Sequence, residues 1–389
     1  MHEKISSFLR GRVAANDFPS AVYLVADKGE IVFHGALGYA VVEPNRIEAR
    51  QDTIYDVASL TKPLVSGLLA AILVETGDLE LDQHLDHYFP ELIEFRGPGS
   101  ELEFVEYDCF DVLIHELLTH RSAYQAWKPF YLLCAGDSDA RTQVLFQIAN
   151  RIPAQFEPDV IYSDLNFIML GGVIEKILDS RLDEAYINAV IQPLTLGSTF
   201  YCPENTIKIR IAASEKGNEY EKQTCIEQGY VQPPGNTGGT DFWRDYQIWG
   251  EVHDGNAWYM GGVAGHAGLF STAADIYKIA LQFLPNYTQL LKPETCELFR
   301  TNYTKGMNED RSFAFQLAST EGSTAGPKMS RESFGHNGFT GTSRWIDPVK
   351  ERIFVLLTNR THNHPLPFVN INSVRRQFHD IAIDLLDSR

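Results

Sequence analysis

Strand-forming segments lie at the two ends of this 389-residue chain and helix-forming segments in its middle, and that arrangement limits the folds open to it. Ala21–Ala26 and Ile31–Tyr39 are rich in β-branched and aromatic residues, and Asp27-Lys28-Gly29-Glu30 supplies the turn of a hairpin between them. Thr53–Tyr55 reads as a third, short strand, and strands return at Ser343–Asp347 and Arg352–Leu357. From about 80 to 200 the apolar spacing is helical, over Asp111–Thr119, Arg141–Asn150, Leu165–Leu178 and Leu182–Val190. Helices are also expected at 3–15, at Ala273–Phe283 behind the capping pair Ser271-Thr272, and at Val374–Leu386. Residues 200–260, with Pro233-Pro234-Gly235 and Gly238-Gly239, read as a long irregular stretch packed around a site. An α+β fold follows: one antiparallel sheet built from both termini, flanked by the first and last helices, with an inserted and mainly helical lobe. The expected division of this single domain is an α/β lobe of about 1–57 and 258–389 and a helical lobe of about 58–257, with a cleft between them.

Composition narrows the function. With 44% hydrophobic and 22% charged residues the chain has ample material for a core. A net charge of −18 argues against nucleic acid and against anionic membranes, whose partners carry clustered Lys and Arg. No apolar run approaches the roughly 20 residues of a membrane span. Met1-His2-Glu3-Lys4-Ile5 lacks the features of a signal peptide, so a cytoplasmic location is expected. Cys109, Cys134, Cys202, Cys225 and Cys296 are scattered and form no C-x-x-C pair, which points to reduced thiols. The loop Gly261–Gly268 suits a pocket wall but lacks the Lys and Ser/Thr of a phosphate-binding loop. His253-Asp254, His266 and His336 show no helical H-x-x-x-H spacing, so neither metal nor other cofactor is expected.

The chemistry concentrates in three segments. Ser59-Leu60-Thr61-Lys62 places a hydroxyl three residues ahead of an amine at the start of a helix that ends at Gly77, and residues three apart share a helix face. Lys62 can then take the Ser59 proton or hold the charge of the base that does, and a carboxylate is expected beside it if it is buried. Such a motif alone also fits a plain N-cap serine and a solvated lysine. Tyr162-Ser163-Asp164 precedes an apolar helix; a tyrosine beside Lys62 can serve as general base, and Asp164 can pair with the lysine or cap the helix. Phe334–Thr342 reads Phe-Gly-His-Asn-Gly-Phe-Thr-Gly-Thr, a glycine-rich turn before a strand. There the Phe339 N–H can join that of Ser59 as an oxyanion donor, with His336 facing the cleft.

These segments resemble the serine β-lactamase-related family of class C β-lactamases, D-alanyl-D-alanine carboxypeptidases, D-aminopeptidases and esterase-like penicillin-binding proteins. Tyr55–Lys62 is similar to the family's first motif, His115-Glu116-Leu117-Leu118-Thr119-His120 to its "HLLTH" segment, Tyr162-Ser163-Asp164 to its Tyr-x-Asn motif, and Gly338–Pro348 to the strand that carries its third motif. The resemblance implies an acyl-enzyme on Ser59, a general-base role shared by Lys62 and Tyr162, and an oxyanion hole from the Ser59 and Phe339 amides. Asp164, His336, Asn337 and Gly338 would bind or orient the substrate. Two departures matter: His336-Asn337-Gly338 stands where the family carries Lys-Thr-Gly, and Asp164 stands where it carries Asn. Both disfavour anionic β-lactams and favour a small ester or a D-amino-acid-type amide or short peptide; Arg344 is a candidate for restoring the missing cation, although strand alternation can equally point it away. The alternative is a catalytically idle sensor that binds a ligand in the same cleft. Trp127, Tyr124, Trp243, Trp249 and Trp258 fall in segments expected to border that cleft.

Overall fold

The structure, a computed structural model, describes residues 3–90, 112–134, 139–149, 159–231 and 243–389. β1 (Ser20–Asp27) and β2 (Glu30–Val41) form the expected hairpin, with Lys28 (φ 50°) and Gly29 (φ 77°) both left-handed in its two-residue turn. β1 alternates in its burial partners. Ala21, Tyr23 and Val25 face a cluster with Ile5, Leu9 and Phe378 from the helices Glu3–Ala14 and Asn372–Asp387. Val22, Leu24 and Ala26 face the larger core with Leu68 and Phe283. The first and last helices therefore cover one side of the sheet, and the helix Ala273–Leu281 packs against β1 and the strand Arg352–Thr358 on the other.

The chain's two ends meet where β1 pairs antiparallel with β11 (Arg352–Thr358), from Ala21 opposite Thr358 to Asp27 opposite Arg352. β3 (Ile47–Glu48) flanks β2; β10 (Ser343–Asp347), β9 (Phe334–Asn337), β8 (Phe315–Leu317) and β7 (Arg311–Ser312) extend the other side, completing the order β3-β2-β1-β11-β10-β9-β8-β7. A smaller sheet, β4-β6-β5, joins Tyr55–Asp56, Leu269–Ser271 and Phe200–Tyr201. Its β4 runs directly into Ser59.

Several expectations shift. The third strand sits at Tyr55–Asp56 rather than Thr53–Tyr55. β7, β8 and β9 had no sequence signal because they are two to four residues long, too short to show alternation. Residues 200–260 are not wholly irregular, since helices form at Asn205–Arg210, Glu219–Glu227 and Gly255–Tyr259. Cys109 and the Pro/Gly run at 233–239 lie outside the described residues. The Ser59 helix is not one regular α-helix: a 3₁₀ turn at Ala58–Leu60 and a π-helical segment at Lys62–Ser66 precede the α-helix Gly67–Thr76. Ala58 at φ 49° breaks regular winding at the start, and Pro63 contributes no N–H to it. Contrary to the sequence reading, Ala58–Thr76 is long and apolar enough to cross a membrane by length and composition, but 78% of it is buried in the protein. It is the central core helix. Gly77 closes it in the left-handed conformation at φ 81°.

Candidate active site

Ser59 and Lys62 are brought together by local winding. Lys62 Nζ donates to Ser59 Oγ at 3.0 Å and to Asp164 Oδ1 at 2.6 Å, and lies 3.5 Å from the His266 carbonyl oxygen. Those three acceptors match the three protons of an ammonium. Lys62 is fully buried, which by itself would lower its pKa; Asp164 and Tyr162 outweigh that burial, and the net direction is upward. Asp164 occupies the first turn of the Asp164–Leu178 helix while Ser163 caps it, its hydroxyl accepting the Leu165 N–H. The cap and the ion pair thus fall on adjacent residues.

Tyr162 stands in a stack of rings and cations. Lys62 Nζ is 4.9 Å from its ring centroid and the Arg311 guanidinium 5.2 Å. His120 and His336 pack against it with centroids 4.6 Å and 5.6 Å away. Burial, reinforced by Lys62 and Arg311, pushes the His336 pKa well below its ordinary value. His336 is therefore neutral near neutral pH. Asn337 lines the same wall and accepts the Thr324 hydroxyl through Oδ1 at 3.0 Å. At Gly338 a Cβ would collide with the Val57 carbonyl and the Thr342 hydroxyl, so the glycine allows the turn to dock onto β4.

Ser59, Tyr162, Asp164, His336, Asn337, Gly338 and Phe339 all line one cavity of about 620 Å³. The backbone N–H groups of Ser59 and Phe339 have no hydrogen-bond partner among the described residues. Of the aromatic residues flagged in the sequence, Trp127 reaches this cavity. Tyr124 is core, Trp249 donates its indole N–H to the Ile211 carbonyl, Trp243 packs edge-on to Tyr131, and Trp258 is partly exposed.

Sequence reasoning missed much of the charged wall. Arg311 reaches the cavity from β7, held by Glu309 through Nε and Nη2, each at 3.0 Å, while its buried Nη1 has no partner among the described residues. Glu221 and Asp254 add two further carboxylates. Burial, reinforced by Asp254, raises Glu221 to about 7, whereas His266 overrides burial and holds Asp254 below the usual carboxylate range. His253 pairs with Glu215 at 2.7 Å and His266 with Asp254 at 3.0 Å. Arg344, the sequence candidate for a restored cation, is fully buried between Phe315 and Phe283 and does not line the cavity.

A family model described as Beta-lactamase matches residues 5–376. The chain belongs to the beta-lactamase family. A protein of Escherichia coli strain K12 named "Putative D-alanyl-D-alanine carboxypeptidase" is 29% identical over 367 residues, 89% of this chain and 79% of that protein. Among solved structures, "EstCE1, a hydrolase with promiscuous acyltransferase activity" superposes with a TM-score of 0.71 at 18% identity, over 97% of each chain. A class C beta lactamase gives a TM-score of 0.67 at 17% identity, covering 100% of this chain and 97% of that one. These likenesses establish the α+β fold of the family, and family membership makes the chain a beta-lactamase-like serine hydrolase.

Proposed function

We propose that this protein hydrolyses a small ester or D-amino-acid-type amide or peptide through an acyl-enzyme on Ser59, with weak or no β-lactamase activity. The observation that carries this reading is Lys62 bonded at once to Ser59 Oγ and Asp164 on the wall of the cavity that Tyr162 also lines. An ammonium whose three protons meet three acceptors has no lone pair with which to take a proton. Lys62 therefore orients Ser59 and supplies positive charge, and Tyr162 is the general base. The Ser59 oxygen attacks the substrate carbonyl carbon as its proton passes to the phenolate oxygen of Tyr162. The carbonyl oxygen gains its negative charge against the Ser59 and Phe339 N–H groups. Tyr162 then protonates the leaving group, and water releases the acyl group by the same steps.

A neutral His336, together with carboxylates at Asp164, Asp254 and Glu309, supports preference for substrates without a strongly anionic group at that wall. A second reading, cleavage of a peptide with a terminal carboxylate, is favoured by Arg311, which lies beside Tyr162 and whose Nη1 has no partner among the described residues.

The deciding experiment is the initial rate of p-nitrophenyl butyrate hydrolysis by the native protein and by Ser59→Ala. Loss of the rate with the hydroxyl supports the acyl-enzyme; a rate unchanged in the variant refutes it. Absence of any Ser59-dependent rate favours the idle sensor. A cephalosporin kcat/KM above that of the ester would overturn the preference.

A further inference from the structure

Asp56 lies outside the cavity lining, yet three of its oxygens are tied to the segments that carry the two free amides. Its Oδ1 accepts the Ala58 N–H at 2.8 Å, one residue before Ser59. Its carbonyl oxygen accepts the Thr340 hydroxyl at 2.8 Å, one residue after Phe339. Its Oδ2 accepts the His253 N–H at 2.8 Å, and the His253 ring lies against the Phe339 ring with centroids 5.4 Å apart at 24°. The next carbonyl, that of Val57, accepts the Thr342 hydroxyl at 2.9 Å. The turn bearing Phe339 is thereby fastened to the strand that leads into Ser59.

Backbone geometry makes the same point. Ala58 has φ 49°, a left-handed conformation that costs a residue with a Cβ about 1 kcal/mol or more. A side-chain oxygen that accepts the N–H two residues on is the Asx turn, a local bond that holds the chain in a tight turn. At Ala58 it stabilises the bend after which the Ser59 N–H is left without a partner among the described residues. A carboxylate suits the position because two N–H donors converge on its two oxygens; an amide would turn its own NH₂ against one of them.

We infer that Asp56 is a positioning residue for the oxyanion hole, holding the Ser59 and Phe339 amides at the spacing that a tetrahedral oxyanion requires. The inference rests on the proposed acyl-enzyme reading. It touches no substrate, so its signature is a loss of transition-state stabilisation with ground-state binding retained.

The test compares native protein, Asp56→Asn and Thr340→Val, with rates counted per Ser59 labelled to completion by a fluorophosphonate probe. Asp56→Asn is expected to lower kcat on p-nitrophenyl butyrate by about 10- to 100-fold, less than the roughly 100- to 1,000-fold of removing an oxyanion donor outright because the amides are displaced and not deleted, with KM within about twofold. The dissociation constant of phenylboronic acid, whose adduct on Ser59 places an oxygen in the oxyanion position, is expected to rise by the same factor. Thr340→Val, which keeps the carboxylate, is expected to show the same parallel change at about threefold, and it carries the test if Asp56→Asn does not fold. Unchanged kcat per labelled site, or a raised KM at constant kcat, overturns the inference and leaves Asp56 a purely structural residue. An ester rate independent of Ser59 would instead defeat the functional reading. If no ester is turned over at all, boronate binding still decides for or against Asp56.

Discussion

Two buried cations lie on neighbouring parts of this fold and meet opposite fates. Lys62 and Arg344 are both fully inaccessible to solvent. Lys62 meets Ser59, Asp164 and the His266 carbonyl, and its pKa moves up in spite of burial. Arg344 stands directly across from His336 in the β9–β10 pair; its guanidinium carbon lies 4.9 Å from the Phe315 ring centroid, and none of its three nitrogens has a hydrogen-bond partner among the described residues. Burial pulls its pKa down to about 9. Desolvation acts on both groups, so the difference lies in what faces them. A charge placed among oxygens is available for chemistry, whereas one placed among rings is held by cation–π contact and packing.

The sharpest way to break this comparison is to remove the paired cation. Lys62→Ala is expected to lower Ser59-dependent ester turnover about 1,000-fold or more, as loss of one member of a catalytic unit does. A loss of less than tenfold in steady-state kinetics would reduce Lys62 to a structural cation. Next in size, Asp164→Ala leaves Lys62 buried and uncompensated, with an expected loss of about 3–5 kcal/mol in urea unfolding. A loss below 1 kcal/mol would mean that the carboxylate does not support the charge.

Acid titration extends the contrast to histidines. Burial depresses the pKa of His120, His336 and His379, the last to about 4. Each is neutral in the folded protein but binds a proton when unfolded below about pH 6.5. The unfolded state therefore holds more protons in that window, and stability falls as pH drops from about 6.5 towards the folded values. The expected slope is about 1.4 kcal/mol per pH unit for each such histidine. For His379 the window closes near pH 4. Urea midpoints of the native protein and of His379→Gln between pH 7 and 4 check this: the variant's curve is expected to be flatter, and parallel curves would contradict the assignment. The smallest effect belongs to the unpaired cation. Arg344→Met is expected to change stability by no more than about 1 kcal/mol, since apolar replacements of buried charges are often neutral or stabilising. A loss above 3 kcal/mol would show that ring contacts hold a guanidinium as firmly as oxygens hold Lys62.

What was legible in the chain follows from how far apart the cooperating residues lie. Ser59 and Lys62 are three residues apart, and winding alone brings them into contact. Tyr162 and Asp164 were found because they open an apolar helix whose own cap is Ser163. Arg311 carried no such signal: β7 spans Arg311–Ser312, and its place beside Tyr162 comes from its position at the end of an eight-stranded sheet. The facing of Arg344 was not legible, because strand alternation gives two possible faces; the pairing with β9 and β11 puts it in the core. Asp56 could have been noticed as an Asp two residues before a bend, although its bonds to His253 and Thr340 cross 197 and 284 positions of sequence.

By itself, then, the sequence determined the hairpin, the terminal helices that cover it, the antiparallel α+β plan and the serine–lysine pair, all consequences of local periodicity and short-range geometry. Tertiary structure alone decided which charges face the cavity, which imidazoles are neutral and which cation is idle. A charged group's behaviour depends on the dielectric and the partners around it, and in this protein those are assembled from strands and loops far apart along the chain.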